Sequence, residues 1–401
     1  MSPEGGPDAH TGRGSAREVL AVFLRLGLTS FGGPVAHLGY FRDALVVRRR
    51  WLGEQAYADV VALCQLLPGP ASSQVGMALG LQRAGLLGML AAWVGFTLPS
   101  ALALGAFALV VARSGDLAGA GWIDGLKAAA VAVVVQAVLG MARSLTPDAR
   151  RAAIGVVTLL LAVLLPGAAT QVLLIVGAGL LGLVLLRPLV PSGTETDLAP
   201  LVEVPRRLAV GCLGLFAALL VVLPLVGTAF GGLAELAAIF YRAGALVFGG
   251  GHVVLPLLQS DLVDPGLVDR ADFLAGYGAT QAVPGPLFTF AAFLGSLRDG
   301  VLGGVVATLA IFLPAALLVL GALPFWQRLR TSAPARSALM GVNAAVVGLL
   351  AAALYDPVLS EGVTSWRAAL LALAAYLVLE RLRCPPWGVV VGAALVGAVL
   401  L

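Results

Sequence analysis

Long apolar runs recur along almost the whole chain, and they restrict its fold more than any other feature. Clear runs occupy residues 85–112, 122–142, 208–230, 301–325 and 340–355. Each is near or above the ~17–20 residues that a helix needs to cross the hydrocarbon core of a bilayer. The 401 residues are 60% hydrophobic and only 11% charged, whereas about a quarter of a soluble domain is charged. The sequence therefore predicts an all-α polytopic membrane protein.

Charge and cysteine content exclude several other classes. The net charge of +4 comes almost entirely from arginines that lie between the apolar runs, where they act as topology signals rather than as a nucleic-acid surface. Cys64, Cys212 and Cys384 are isolated, so neither a metal site nor a disulfide framework is expected. We expect no cofactor and no nucleic-acid partner. Residues 1–16 are polar and predict an N-terminal tail rather than a signal peptide.

The chain contains one unit twice. "LAVFLRLGLTSFGG" (20–33) aligns with "LAAIFYRAGALVFGG" (236–250), and Arg25 then falls on Arg242, 217 residues later. "QLLPGPASSQVG" (65–76) aligns with "QAVPGPLFTFAA" (281–292) at an offset of 216, and Pro99 falls on Pro314 at 215. The predicted division is a first repeat at 17–187, a polar linker at 188–207, an extra transmembrane helix at 208–231 and a second repeat at 234–401.

The loops of the two repeats carry opposite charge patterns. Residues 42–51 contain four arginines, whereas their counterparts 259–272 contain four aspartates and one arginine. The next pair reverses, because 113–121 is nearly neutral and 326–336 has three arginines. Basic loops face the cytoplasm, so we predict two inverted-topology repeats, an architecture that places transporter sites near the membrane midplane. The extra helix at 208–231 adds the single crossing that is needed to invert the second repeat relative to the first.

This topology predicts nine crossings and four segments that do not cross. The crossings are 85–112, 122–142, 151–165, 168–187, 208–230, 300–325, 339–355, 367–382 and 387–401. The other segments are 19–41 and 57–83 with their counterparts 236–258 and 273–298. We interpret these four as broken or re-entrant helices that meet near the midplane.

The two Pro-Gly-Pro sequences predict helix breaks with an exposed helix N-terminus. A helix ends before Pro68, Gly69 allows the turn, and Pro70 suits the first turn of a new helix. Free N–H groups near Ser72 and Ser73 would then favour an anion. The counterpart turn has Gly285 and Thr289. Gln65 and Gln281 precede the two turns, where they either donate to the anion or cap the broken helix.

A second pair of breaks follows the two repeated arginines. The glycines involved are Gly32, Gly33, Gly249 and Gly250. Arg25 and Arg242 lie in apolar stretches, where an ionised arginine costs at least ~2.5–3.5 kcal/mol unless it has a partner or an aqueous path. We expect that partner to be a bound anion, most suitably a dianion shared by both arginines. The alternative is snorkelling, or pairing with Asp43 or Asp261.

These motifs resemble those of the chromate ion transporter family in its long form with two tandem domains. The resemblance rests on "FGG", the "GY" segments, "QLLPGPASSQVG", "QAVPGPLFTF" and "FTLPSA", and it spans both repeats. It implies a multi-pass protein of the bacterial inner membrane that exports chromate, powered by the proton-motive force. Sulfate or a similar tetrahedral oxyanion is the alternative substrate. The expected partners are this anion and the lipid bilayer, and both a monomer and a homodimer are compatible with the sequence.

Three further residues are candidates for proton coupling or for lining a cavity. His37 and His252 follow the glycine breaks, although they are not in equivalent columns, and a titrating histidine can carry a proton; packing histidines are the alternative. Lys127 aligns with Asn343, so it either faces the cavity or snorkels near Trp122.

Other function classes have less support. A passive anion channel could share this architecture. An enzyme is not expected, because the chain lacks a zinc motif, a nucleophile elbow and paired carboxylates. No phosphate-binding loop for ATP occurs in the sequence.

Overall fold

The computed structural model describes residues 14–31, 33–113, 121–165, 168–187, 204–248, 251–326 and 332–401. Within these ranges the chain forms helices joined by short connections, and no β-strand occurs among the residues described. The candidate site residues Gly32, Gly249 and Gly250 lie outside the described part.

The first half forms seven helices, with a π-helical segment at Arg42–Arg48 after the second. They are α1 (Ala16–Thr29), α2 (Gly33–Phe41), α3 (Glu54–Leu66), α4 (Ala71–Arg113), α5 (Gly121–Leu145), α6 (Ala149–Leu164) and α7 (Ala168–Leu185).

An extra helix, α8 (Arg206–Phe230), precedes a second half with the same order of elements. That half contains α9 (Gly232–Leu246), α10 (Val254–Leu258), α11 (Arg270–Ala282), α12 (Phe290–Ala322), α13 (Ala333–Ala353), α14 (Trp366–Arg381) and α15 (Pro386–Leu400). A π-helical segment, Gln259–Val263, again follows the second helix, and a further one, Leu354–Leu359, follows α13.

The prediction of an all-α polytopic membrane protein is confirmed. Five helical segments are long and apolar enough to cross a membrane, and each contains one of the predicted crossings. They are Ala71–Arg113, Gly121–Leu145, Arg206–Phe230, Leu287–Phe325 and Ala333–Gly362. The four other predicted crossings fall on α6, α7, α14 and α15, which have 15 to 18 residues. Those four crossings stay a prediction.

The two longest helices are hairpins. Ala84 and Gly85 interrupt α4 with non-helical dihedral angles, and Gly85 has a φ of +65°. A Cβ on Gly80 would lie 2.3 Å from the carbonyl oxygen of Gly88, although eight residues of straight helix would span ~12 Å. The chain therefore reverses at this point. The same turn occurs in α12, where Gly300 has a φ of +64°. Glycine occupies both turns because this φ strains any residue with a Cβ.

Each hairpin turn is held at the start of its own repeat by an ion pair. Arg83 pairs with Glu18 at 3.2 Å, and Arg298 pairs with Glu235 at 2.6 Å. Arg83 also lies over the Trp51 ring, 5.3 Å from its centroid. The start of α1, the loop after the first π-helical segment and the α4 turn therefore meet at one end of the bundle. Consequently the segments 16–48 and 54–83 each leave this end and return to it.

The opposite orientation of the two halves stays a prediction. Five helical segments lie between the α4 turn and α9, namely the second arm of α4, then α5, α6, α7 and α8. If all five cross the membrane, as the sequence predicts, the second half starts at the opposite end of the bundle. The halves also exchange helices, because α5 packs against α14 and α15 whereas α13 packs against α6 and α7. α8 packs on α9 and α12.

Candidate functional site

The first helix of each half stops inside the bundle. α1 ends at Thr29, and the Ser30 N–H donates to the Leu26 carbonyl oxygen at 2.8 Å. α9 ends at Leu246 and is followed by extended backbone at Val247. Ser30 and Val247 are both buried, and they occupy equivalent positions 217 residues apart. The peptide groups after these helix ends are thus available to bond elsewhere.

The Pro-Gly-Pro sequences form the second pair of breaks. α3 ends at Leu66 and α4 begins at Ala71, so the turn contains Gly69 with a φ of +118°. In the second half, α11 ends at Ala282, and a short 3-10 turn begins at Leu287. Gly285 between them has a φ of +103°. Both turns place a helix N-terminus, with its unsatisfied N–H groups, directly after the break.

Reciprocal hydrogen bonds join the breaks of the two halves. The Gly69 N–H donates to the Val247 carbonyl oxygen at 2.7 Å, and the Gly285 N–H donates to the Ser30 carbonyl oxygen at 2.9 Å. Each Pro-Gly-Pro turn therefore bonds to the broken first helix of the other half. The four helix breaks form one central unit, which we call the break junction and define by Ser30, Gly69, Val247 and Gly285.

Polar side chains of the first half gather at the break junction. His37 Nδ1 lies 3.3 Å from Ser72 Oγ, and the His37 ring packs edge-on against Phe96 at a centroid distance of 5.2 Å. Ser100, one turn after Phe96, approaches Gly285 so closely that a Cβ there would lie 2.7 Å from Ser100 Oγ. The Gln74 amide donates to the Pro68 carbonyl oxygen at 2.7 Å.

Several of these buried polar atoms have no hydrogen-bond partner among the described residues. They are Ser30 Oγ, His37 Nε2, Ser73 Oγ, Gln74 Oε1 and Thr97 Oγ1. Leaving a buried polar group unsatisfied costs about 1–3 kcal/mol. An unusual concentration of such atoms at one place needs a structural or functional reason.

The second half presents fewer free donors at the junction. Thr289 Oγ1 donates to the carbonyl oxygen of Pro286 at 2.7 Å. His252 Nδ1 is hydrogen-bonded to the Tyr277 hydroxyl. Gln281 Nε2 is buried without a partner among the residues described, whereas its counterpart Gln65 is exposed. The two turns have a similar backbone conformation but differ in side-chain chemistry.

The expectation that both repeated arginines lack a carboxylate partner is wrong for Arg242. Its Nη2 lies 2.5 Å from Asp261 Oδ1, and its Nε donates to Asp261 Oδ2 at 3.2 Å. Asp261 belongs to the π-helical segment Gln259–Val263 and is buried. The alternative interpretation, pairing with Asp261, therefore describes Arg242.

Arg25 differs from its counterpart. Its side chain is exposed, on the same face of α1 as Leu24 and Leu28, and it has no ion pair with any described residue. Ala44 stands 217 residues before Asp261, so the first half lacks the equivalent carboxylate. Asp43 instead pairs with Arg48 at 2.6 Å.

The structure does not place Lys127 at the break junction. It is buried on α5 and donates to Asp124 Oδ1 at 3.1 Å, one helical turn earlier. Neither interpretation from the sequence included this pairing. No group of three or more His, Cys, Asp or Glu side chains suited to a metal occurs in the described part of the chain.

A cavity of about 440 Å³ lies between the halves, near the loop before α11. Its polar lining comes from Gln171, Gln259, Asp264, Arg270 and Asp356. Arg270 pairs with Asp356 at 2.8 Å. Burial raises the pKa of the Asp264 carboxyl, while Arg270 opposes that rise and Asp356 adds to it. Because its lining has two carboxylates and only one guanidinium, this cavity is poorly suited to binding an anion.

The two ion pairs that hold the hairpin turns were not predicted from the sequence, whereas Asp261 was one of the alternative partners named for the repeated arginines. The repeat contains the signal for the former, because Glu18 and Glu235 are 217 residues apart and Arg83 and Arg298 are 215 apart. Ser30, Thr97 and Ser100 were not predicted either, because each is an ordinary residue in an apolar context until the breaks are brought together.

Comparison with known proteins assigns the chain to a family. The family model described as "Chromate transporter" matches residues 17–183 and again residues 234–398. The chain belongs to the chromate transporter family. Membership, together with the apolar helices, identifies it as an integral membrane protein of the transporter class.

Relatives match over most of their length. The chain is 31% identical to the "Chromate transport protein" of Pseudomonas aeruginosa over 90% of this chain and 87% of the relative. It is 30% identical to the "Probable chromate transport protein" of Synechococcus elongatus over 84% of each. An "Uncharacterized transporter" of Methanocaldococcus jannaschii is 26% identical over 84% of this chain and 83% of the relative. No solved structure matches the chain.

Proposed function

We propose that this chromate transporter family member carries chromate, or a similar tetrahedral divalent oxyanion such as sulfate, across the bacterial inner membrane. The observation that supports this most is the pair of reciprocal hydrogen bonds, Gly69 to Val247 and Gly285 to Ser30, which join four helix breaks. Irregular backbone at membrane depth is tolerated only where it is buried in protein or lines a cavity. In transporters such breaks bind the substrate.

The break junction suits an anion. The N-terminus of α4 brings the N–H groups of Ser72 and Ser73 and the positive end of a helix dipole to the turn. Arg25 lies on α1 five residues before Ser30, and its exposed side chain adds a positive charge to this repeat without a carboxylate partner among the described residues. Asp and Glu side chains, which a cation transporter would need here, are nearly absent from the spans.

The charge of the loops supports export. With the arginine-rich loops on the cytoplasmic side, the turn of α4 faces the cytoplasm and the acidic loops before α11 and after α13 face outward. A membrane potential contributes about 2.3 kcal/mol per elementary charge per 100 mV. An interior-negative potential therefore drives a dianion outward, and the proton-motive force is the energy source.

A bacterial strain without its own chromate export tests this proposal. Cells that express the protein should accumulate less chromate than cells that express an Arg25→Gln variant at equal level, and an uncoupler should remove the difference. Excess sulfate in the same assay shows whether sulfate competes. Equal accumulation in both strains would remove Arg25 from the proposed site, and accumulation no lower than in cells without the protein would overturn the proposal.

A passive oxyanion channel is the second candidate. The exposed Arg25 and the broken helices are compatible with either mechanism. The two differ in whether a proton gradient can move the anion beyond its electrochemical equilibrium.

A further inference from the structure

The break junction is chemically one-sided. Six polar residues of the first half align with apolar residues of the second, through the same offsets of 215 to 217 that relate the repeats. The pairs are Ser30 with Val247, His37 with Val254, Ser72 with Phe288, Gln74 with Phe290, Thr97 with Phe312, and Ser100 with Ala315. The backbone breaks are duplicated, but most of the polar lining is not; Ser73 is the exception, because Thr289 stands at its equivalent position, where its hydroxyl donates to the Pro286 carbonyl oxygen.

The first-half members are deeply buried and incompletely satisfied. Ser30, His37, Ser73, Gln74 and Thr97 are each at most 2% exposed. Each nevertheless has a side-chain polar atom with no hydrogen-bond partner among the described residues. Five such atoms around one junction would destabilise a fold that had no ligand to satisfy them.

The second-half positions are filled by packed apolar side chains. The Phe312 ring contacts Phe288 at a centroid distance of 6.1 Å and Trp93 at 5.9 Å. The Phe290 ring packs against Phe273 at 5.1 Å. Val247 and Val254 are fully buried. These side chains offer an anion no donor.

The arginines show the same asymmetry. In the second half Asp261 neutralises Arg242. In the first half Ala44 occupies the corresponding position, so the charge of Arg25 is not cancelled by an equivalent carboxylate. Polar lining and uncompensated positive charge therefore belong to the same repeat.

We infer that each chain binds one oxyanion, in the first half only, and that the second half is its structural support. The hydroxyl groups of Ser30, Ser72, Ser73 and Thr97, together with His37, form the donor set, and the N–H groups at the start of α4 complete it. Thr97 and Ser30 are specificity-determining residues, because a tetrahedral oxyanion presents several oxygens that can each accept a hydrogen bond from a separate neutral donor. This inference rests on the proposed function.

Binding of chromate to the purified full-length protein tests the inference. Equilibrium dialysis should give one chromate per chain, with sulfate as competitor. Thr97→Val keeps the shape of the side chain and removes only its hydroxyl, so chromate affinity should fall tenfold or more. The melting temperature should stay equal or rise, because the Thr97 hydroxyl has no partner among the described residues.

Thr308→Val is the matched control. Thr308 is a buried threonine of α12 whose hydroxyl donates to the Gly304 carbonyl oxygen at 2.7 Å, so its replacement should leave chromate affinity unchanged. Ser73→Ala repeats the test at a second unpaired hydroxyl in case Thr97→Val does not fold.

The outcomes separate the two claims. Two chromate ions per chain, or equal affinity in wild type, Thr97→Val and Ser73→Ala, would overturn the one-sided site while leaving the proposed function intact. A wild-type protein that binds neither chromate nor sulfate would overturn the proposed function and the inference with it.

Discussion

Replacing Gly285 by alanine should destabilise the protein more than the matched replacement of Gly69, although both glycines occupy the same turn. Gly285 has a φ of +103° and Gly69 a φ of +118°. A side chain in such sparsely populated backbone regions costs about 1–3 kcal/mol. This strain is common to both variants. The difference between their free energies of unfolding therefore depends on the atoms that the new methyl group contacts.

The contacts of that methyl group differ. At position 285 it would lie 2.7 Å from Ser100 Oγ and 3.2 Å from the Phe96 carbonyl oxygen. At position 69 it would lie 3.0 Å from Gln74 Nε2 and 3.4 Å from the Ala315 Cβ. The Gln74 amide is the end of a flexible side chain, whereas the Phe96 carbonyl is helix backbone. Overpacking of this kind costs about 1–3 kcal/mol, which we expect as the additional loss for Gly285→Ala.

Thermal unfolding in detergent, followed by tryptophan fluorescence, measures the difference. Ser100→Ala removes the nearer obstacle and reproduces the second half, where Ala315 faces Gly69. The double variant Gly285→Ala/Ser100→Ala should therefore recover part of the lost melting temperature. Equal losses for the two glycine variants, with no recovery in the double variant, would refute the geometry of the break junction.

Other predictions concern the charged residues. Arg25→Gln should abolish chromate transport at normal expression, whereas Arg17→Gln, eight residues earlier on α1, should not; loss in both variants would remove Arg25 from the site. Asp261→Asn should lower the free energy of unfolding, and with it the melting temperature; the loss should be smaller than the ~3–5 kcal/mol of a fully buried pair, because the Arg242 side chain is 31% exposed. An unchanged melting temperature would show that this pair is not structural. Ala44→Asp should weaken chromate affinity in dialysis, and unchanged affinity would contradict a role for the charge of Arg25.

The sequence predicted the local features of the site. Proline and glycine act on their own backbone, so Pro-Gly-Pro and Phe-Gly-Gly identify helix breaks without knowledge of the tertiary structure. The apolar runs likewise predicted the five long helical segments. A break between residues 83 and 85 was predicted, but the reversal of the chain at Gly85 was not. The reason is that Arg83-Ala84-Gly85 resembles an ordinary polar interruption of a helix.

Contacts between distant segments could at most be named as alternatives from the sequence. The pairing of Arg242 with Asp261 depends on the π-helical segment Gln259–Val263, whose extra residue per turn changes the direction of each side chain. The bonds from Gly69 to Val247 and from Gly285 to Ser30 connect residues that only the packing of the two halves against each other brings together. By contrast, an alignment of the two repeats shows Phe288 in place of Ser72. Its significance for the site becomes clear only from the structure, in which both residues are buried.

Chromate flux in proteoliposomes tests the central claim most directly. The membrane potential is clamped with potassium and valinomycin, a pH gradient is imposed or omitted, and sulfate is added as competitor. The account predicts chromate flux that sulfate inhibits and that a pH gradient moves beyond the equilibrium set by the potential. Flux that stops at that equilibrium would favour the channel mechanism. Absence of chromate and sulfate flux in protein that keeps its native melting temperature would contradict the account.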